Sequence, residues 1–185
     1  MGRKVRLSSR GKKPGYWIIA AIIIILVIIG IFLGIRFGCN IINIQKVFGA
    51  HVQEYTVISG LNPGFQSENP YIRGKVITVD IGENKLDQIY FDLPGDMTAK
   101  NPEEVGTIIW LKWEDVRVGT YSPSGEAAYR ITCEVTLIDK PEAILIDKKS
   151  FTGSEPPPTM LREGDGYGSK PTDEIVDYLE SLPRQ

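Results

Sequence analysis

Residues 127–139 read Ala-Ala-Tyr-Arg-Ile-Thr-Cys-Glu-Val-Thr-Leu-Ile-Asp. Tyr129, Ile131, Cys133, Val135 and Leu137 fall on one side, and Arg130, Thr132, Glu134 and Thr136 on the other. A period of two is the mark of a half-buried antiparallel strand. Downstream, Lys140-Pro141-Glu142 turns the chain into residues 143–151, the predicted hairpin partner. Upstream, residues 107–113 and 116–121 read as two more strands, and 122–125 (Ser-Pro-Ser-Gly) as a turn. Residues 71–81 and 86–93 predict another hairpin about the Gly82–Lys85 turn. After a proline-rich stretch at 156–158 and a glycine-rich one at 164–169, Thr172 predicts a helix N-cap. Asp173 and Glu174 complement the helix start, and Pro183 stops it. Ile175, Val176, Tyr178, Leu179 and Leu182 form its apolar face. These elements make an α+β domain: a mainly antiparallel sheet closed by one C-terminal helix.

Before that domain lies an uncharged run. Residues 16–35 contain no charge and no proline. About 20 apolar residues at about 1.5 Å each match a hydrocarbon core of about 30 Å. The run therefore predicts an N-terminal transmembrane helix over 16–38. It is longer than a signal-peptide core, and no Ala-x-Ala site follows it, which favours an uncleaved signal anchor. Gly38-Cys39 resembles a lipoprotein signal only faintly, because Arg36 and Phe37 precede it. Six basic residues and no acid lie before the run. That asymmetry predicts a single-pass protein of the plasma (inner) membrane with a cytoplasmic N-terminus and an extracytoplasmic C-terminal domain. Of the 21 Lys and Arg, 14 follow Arg36, against all 23 Asp and Glu. An acidic domain argues against nucleic acid as its ligand. The expected organisation is a basic tail at 1–15, the helix at 16–38, a connector at 39–54 and the domain at 55–185.

The lipid bilayer is thus an expected partner. Gly30, Gly34 and Gly38 share one helix face, and Gly30-x-x-x-Gly34 is the pattern that lets helices approach closely. It predicts a homodimer or docking against a partner membrane protein. In the connector, Ile41, Ile44, Phe48 and Val52 recur at helical spacing. They suit either a helix lying on the membrane surface or the first element of the domain.

Chemistry is less legible. His51 is the single histidine and has no nucleophile near it. Cys39 and Cys133 make neither a disulfide framework nor a zinc site. Residues 164–170 (Gly-Asp-Gly-Tyr-Gly-Ser-Lys) precede a helix, but Pro171 follows Lys170 and the spacing is not that of a phosphate-binding loop. Asp80, Asp87, Asp92, Asp96, Glu103 and Glu104 lack calcium-loop spacing. No catalytic residue, metal site or cofactor is expected. The aromatic set is the better lead. Trp110 and Trp113 are three apart and point to opposite faces of a strand, and with Tyr121 they are candidates for a ligand or partner surface.

Residues 105–113, 118–121, 133–139, 151–157 and 174–183 together resemble single-pass bacterial membrane proteins with a small extracytoplasmic domain and no known activity. The order of strand, hairpin, loop and helix at the end is similar in outline to envelope domains of the CsgG and TolB type, a likeness of fold alone. The resemblance implies a bacterial origin. The expected function is a non-catalytic binding or scaffolding module of the cell envelope. An outer-face hydrolase using surface carboxylates and an accessory subunit of a membrane complex are the alternatives.

Overall fold

The computed structural model describes residues 19, 21–27, 43–49, 51–62, 67–122, 124–159 and 164–185. It divides into two compact units, Met1–Ile42 and Asn43–Gln185.

In the first unit, residues 21–27 are helical and their side chains are exposed. Among the described residues no helix is long and apolar enough to cross a membrane. The transmembrane helix expected over 16–38 is therefore corrected. The signal anchor, the single-pass inner-membrane address, the cytoplasmic N-terminus and the extracytoplasmic placement of the C-terminal domain rested on it and are corrected with it. The glycine face of Gly30, Gly34 and Gly38 lies outside the described residues, as does Cys39.

The second unit is α+β. In chain order it contains α1 (Val52–Thr56), β1 (Lys75–Asp80), β2 (Lys85–Leu86), α2 (Ile89–Asp92), a 3-10 turn at Pro102–Glu104, β3 (Val105–Thr120), β4 (Ala127–Asp139), β5 (Ile144–Thr152), β6 (Gly166–Tyr167) and α3 (Thr172–Ser181). The sheet order is β2-β1-β3-β4-β5, with β6 beside β4. The sheet is mixed rather than simply antiparallel: β1 runs parallel to β3 and β6 parallel to β4, while the other pairs are antiparallel.

β4 is a strand as expected, but it is not half-buried throughout, because Thr136 and Ile138 on its second face are buried as well, as is Asp139 at its end. Cys133, Val135 and Leu137 are fully buried on one face, against Ile109, Leu111, Ile175 and Leu179. The α3 face expected from sequence is the one that packs: Ile175 and Leu179 have no exposed area, and Val176, Tyr178 and Leu182 flank them. Its N-cap position is Pro171 rather than Thr172, and no side chain caps it.

Three expectations are corrected. Residues 86–93 are not a strand: β2 spans two residues, and the chain then turns into α2. The Asp87 carboxylate draws it there, its Oδ1 accepting the Ile89 N–H at 2.9 Å. Second, β1 therefore finds its main partner in β3, after a crossover. Third, the two strands expected at 107–113 and 116–121 are one strand of 16 residues.

The connector is built into the domain. Ile44, Phe48, Val52 and Tyr55 are buried against Ile77, Val79, Ile108 and Ile138 on the second face of the sheet. Helices thus cover both faces of the sheet's central strands. The chain end is pinned too: Ile72 N–H donates to Pro183 O and Gln185 N–H to Ile72 O, each at 2.9 Å.

Candidate functional site

The sheet positions one unusual feature. β3 pairs with β1 only as far as Leu111, yet it continues beside β4 to Thr120. Residues 112–120 therefore form one strand of a hairpin arm, and among the described residues no strand pairs with its outer edge. Every residue from Glu114 to Thr120 is exposed, and Val116 and Val118 each keep 44% of their area in solvent.

The direction of the free backbone groups follows from one hydrogen bond. Ile81 N–H donates to Leu111 O at 3.1 Å, so Leu111 faces the β1 side. Backbone groups alternate along a strand. The N–H and C=O of Trp113, Asp115 and Arg117 therefore point outward from the arm. Consistently, Glu114 O faces β4, where it accepts the Thr132 hydroxyl at 3.3 Å.

The arm's other edge is braced. β6 pairs with Ala128 and Tyr129, and the Tyr129 and Tyr167 rings stack at 5.1 Å. Tyr121 donates its hydroxyl to Pro157 O at 2.7 Å, and Asp165 Oδ1 accepts the Ala127 N–H at 2.8 Å. Gly168 and Gly153 permit this bracing. A Cβ at either would overlap a carbonyl oxygen, of Ser154 or Ser169 respectively.

The candidate surface residues do not come together. Trp110 and Trp113 do face opposite sides of the sheet, but both are half-buried and both serve the fold. Trp110 donates its indole N–H to Tyr55 O at 2.5 Å, tying α1 to β3. Trp113 donates to Asp87 Oδ2 at 2.7 Å, and the Lys170 ammonium lies 4.2 Å from the centre of a Trp113 ring. Tyr121 sits at the arm's tip. Val116 and Val118 are the exposed apolar residues of the arm. The signal for them was present: two valines at i and i+2 on a strand longer than its neighbours.

The carboxylates are mostly occupied. Asp80 Oδ1 accepts the N–H groups of Gly82 and Glu83. Glu104 accepts the Lys100 N–H at 3.0 Å and pairs with Lys75 at 2.9 Å, and in that order these hold its pKa below the ordinary value. Asp96 meets Arg184 at 2.6 Å, and that ion pair lowers its pKa. Among the described residues no group of three His, Cys, Asp or Glu is placed to hold a metal ion. His51 meets Glu54 at 3.1 Å on the surface. Lys170 engages Trp113, and Gly166 and Tyr167 form β6, so residues 164–170 are a structural strap. Sequence reading missed one buried polar cluster. Asp139, with no exposed area, accepts the Tyr71 hydroxyl at 2.8 Å and lies 3.1 Å from Arg73 Nε. It locks the entry to β1 onto the end of β4, and burial followed by this hydrogen bond raises the Tyr71 pKa.

Cys133 is fully buried, and burial, then the charge of Asp87, pushes its thiol up to about 12. It is no nucleophile at neutral pH. In the unfolded chain this thiol ionises near 9.0. The folded state therefore holds the proton more tightly. The stability this gives is present in full below pH 9 and is lost as pH rises toward 12. Cys133→Val is expected to flatten part of that alkaline decline, by a few kcal/mol at most, read from urea midpoints between pH 8 and 11. An unchanged slope would show that the other buried groups carry it.

No protein-family model matches the chain, and no curated protein matches it.

Proposed function

We propose that the Asn43–Gln185 unit is a non-catalytic protein-binding module whose contact surface is the free edge of the β3 arm. One observation carries the reading. A strand of 16 residues presents an outer edge from Lys112 to Thr120 with no partner strand among the described residues, and two exposed valines lie along it. Sheet edges are normally kept short, covered, kinked or guarded by lysine and proline, because their unpaired N–H and C=O groups recruit other strands. Past Lys112 this edge has no lysine and no proline, while Glu114, Asp115, Arg117 and the irregularity between Arg117 and Gly119 restrict pairing to a strand of matching charge and register. Strand addition fits it: backbone hydrogen bonds supply affinity, and alternate side chains supply selectivity. The braced opposite edge holds the arm ready, so little ordering cost remains at binding.

The test is a photo-crosslinking amino acid at Val118 of the full-length chain, with Ser181 on α3 as the control. A discrete adduct from position 118, absent at 181, is the expected result. Background labelling at both positions contradicts the reading.

A further inference from the structure

We infer that the strand added to this edge is the same edge of a second copy of the chain, paired antiparallel about a two-fold axis at Val116. This rests on the reading of the arm as a contact edge. A two-fold edge pair is isologous, so one residue on the axis fixes the whole register.

Backbone direction limits the choices. Trp113, Asp115 and Arg117 point their N–H and C=O groups outward. Hydrogen-bonded pairs need outward residues on both strands, so the axis passes through a residue and not between two. Charge then selects among the residues. An axis at Glu114, Asp115 or Arg117 sets that residue opposite its own copy, and like charges directly opposite one another are destabilising. An axis at Val116 sets Asp115 opposite the partner's Arg117 and Arg117 opposite the partner's Asp115. Both pairs carry opposite charges, and each joins outward-pointing backbone groups, giving about four backbone hydrogen bonds. Val116 meets the partner's Val116 on the other face, covering side chains otherwise 44% exposed.

Length selects the same register independently. The edge with no partner strand among the described residues runs from Lys112 to Thr120, and Val116 is its midpoint. An axis nearer Trp113 would run the second strand into the place β1 occupies beside Leu111. The irregularity between Arg117 and Gly119 confines the regular ladder to the two central pairs.

The experiment measures self-association of the full-length chain by sedimentation. Asp115→Arg and Arg117→Asp singly are each expected to weaken dimerisation at least about tenfold, since each creates two like-charge pairs. The combined exchange restores opposite charges and is expected to bring association back to within about threefold of the parent. Failure of the double exchange to restore it overturns the inference. As a second reading, Val116→Cys in a Cys39→Ser chain is expected to form an interchain disulfide under mild oxidation. Directly opposed residues at such a site lie about 4.5 Å apart between Cα atoms, within disulfide reach. Val118→Cys, off the axis and within the irregularity, is expected to stay reduced. A chain that stays monomeric while position 118 crosslinks to a different protein overturns self-pairing and leaves the arm as a contact edge. Silence in both experiments overturns both.

Discussion

Phe48→Ala is expected to lower the unfolding free energy by about 3–5 kcal/mol, the cost of truncating a fully buried aromatic. Phe48 has no exposed area. Its ring packs near Tyr55 and Tyr90, with centroids 6.2 and 6.3 Å away. It lies in the layer formed by residues 43–49 and α1, which is anchored on the sheet by Ile44, Phe48, Val52, Tyr55, the Trp110 hydrogen bond and the Lys140 ammonium over the Tyr55 ring. Loss of Phe48 therefore loosens the layer as well as opening a cavity. The same geometry sets where the domain can be cut. A chain beginning at Tyr55 would bare Ile77, Val79, Ile108 and Ile138 on the second face. The measurement is urea unfolding of the full-length variant. A loss under about 1 kcal/mol would mean that the layer is not docked on the sheet, because docked aromatics of this size cost several times more.

Trp113→Ala is expected to cost about 3 kcal/mol, toward the low end for tryptophan because the ring is half-buried. The midpoint of thermal unfolding should fall by roughly 10 °C. Two separable effects add. The ring fills the space between Cys133 and Lys170, and its N–H satisfies Asp87, a carboxylate that is only 5% exposed. Trp113→Phe keeps much of the first effect and removes the second. It should cost about 1–3 kcal/mol, the range for leaving a buried acceptor unpaired. The contrast with the arm decides Trp113's role. Val118→Ser, five residues further along the strand and exposed, should stay within about 0.5 kcal/mol of the parent. If Trp113→Ala left stability unchanged and abolished partner binding, Trp113 would be a contact residue rather than a support.

The parts legible in the sequence were those where one period dominated. β4 alternated cleanly, β5 followed a turn, and α3 showed an apolar stripe with a proline stop. The parallel β1–β3 pairing was hidden because it depends on a crossover, and no local pattern announces that residues 87–104 go round rather than back. Asp87 has no calcium-loop spacing to mark it in the sequence, yet it starts a helical turn and receives an indole N–H. The connector showed its helical spacing at Ile44, Phe48 and Val52, but spacing alone does not say which surface an apolar face meets. The 16–38 run meets the length rule for a membrane helix, yet among the described residues no helix is long and apolar enough to cross a membrane. The arm was read as two strands because Glu114 and Asp115 interrupt the apolar pattern. They interrupt it because the strand has left the core by that point, while its hydrogen bonding to β4 continues.

The most direct test of the arm as a binding edge is the crosslink from position 118. The full-length chain, carrying the photo-reactive residue there, is irradiated in the cell and its adducts are sized and sequenced. The expected result is one dominant adduct whose attachment site lies within residues 112–120 of a second copy. Adducts no more abundant than those from Ser181 would contradict the claim that this edge binds anything at all.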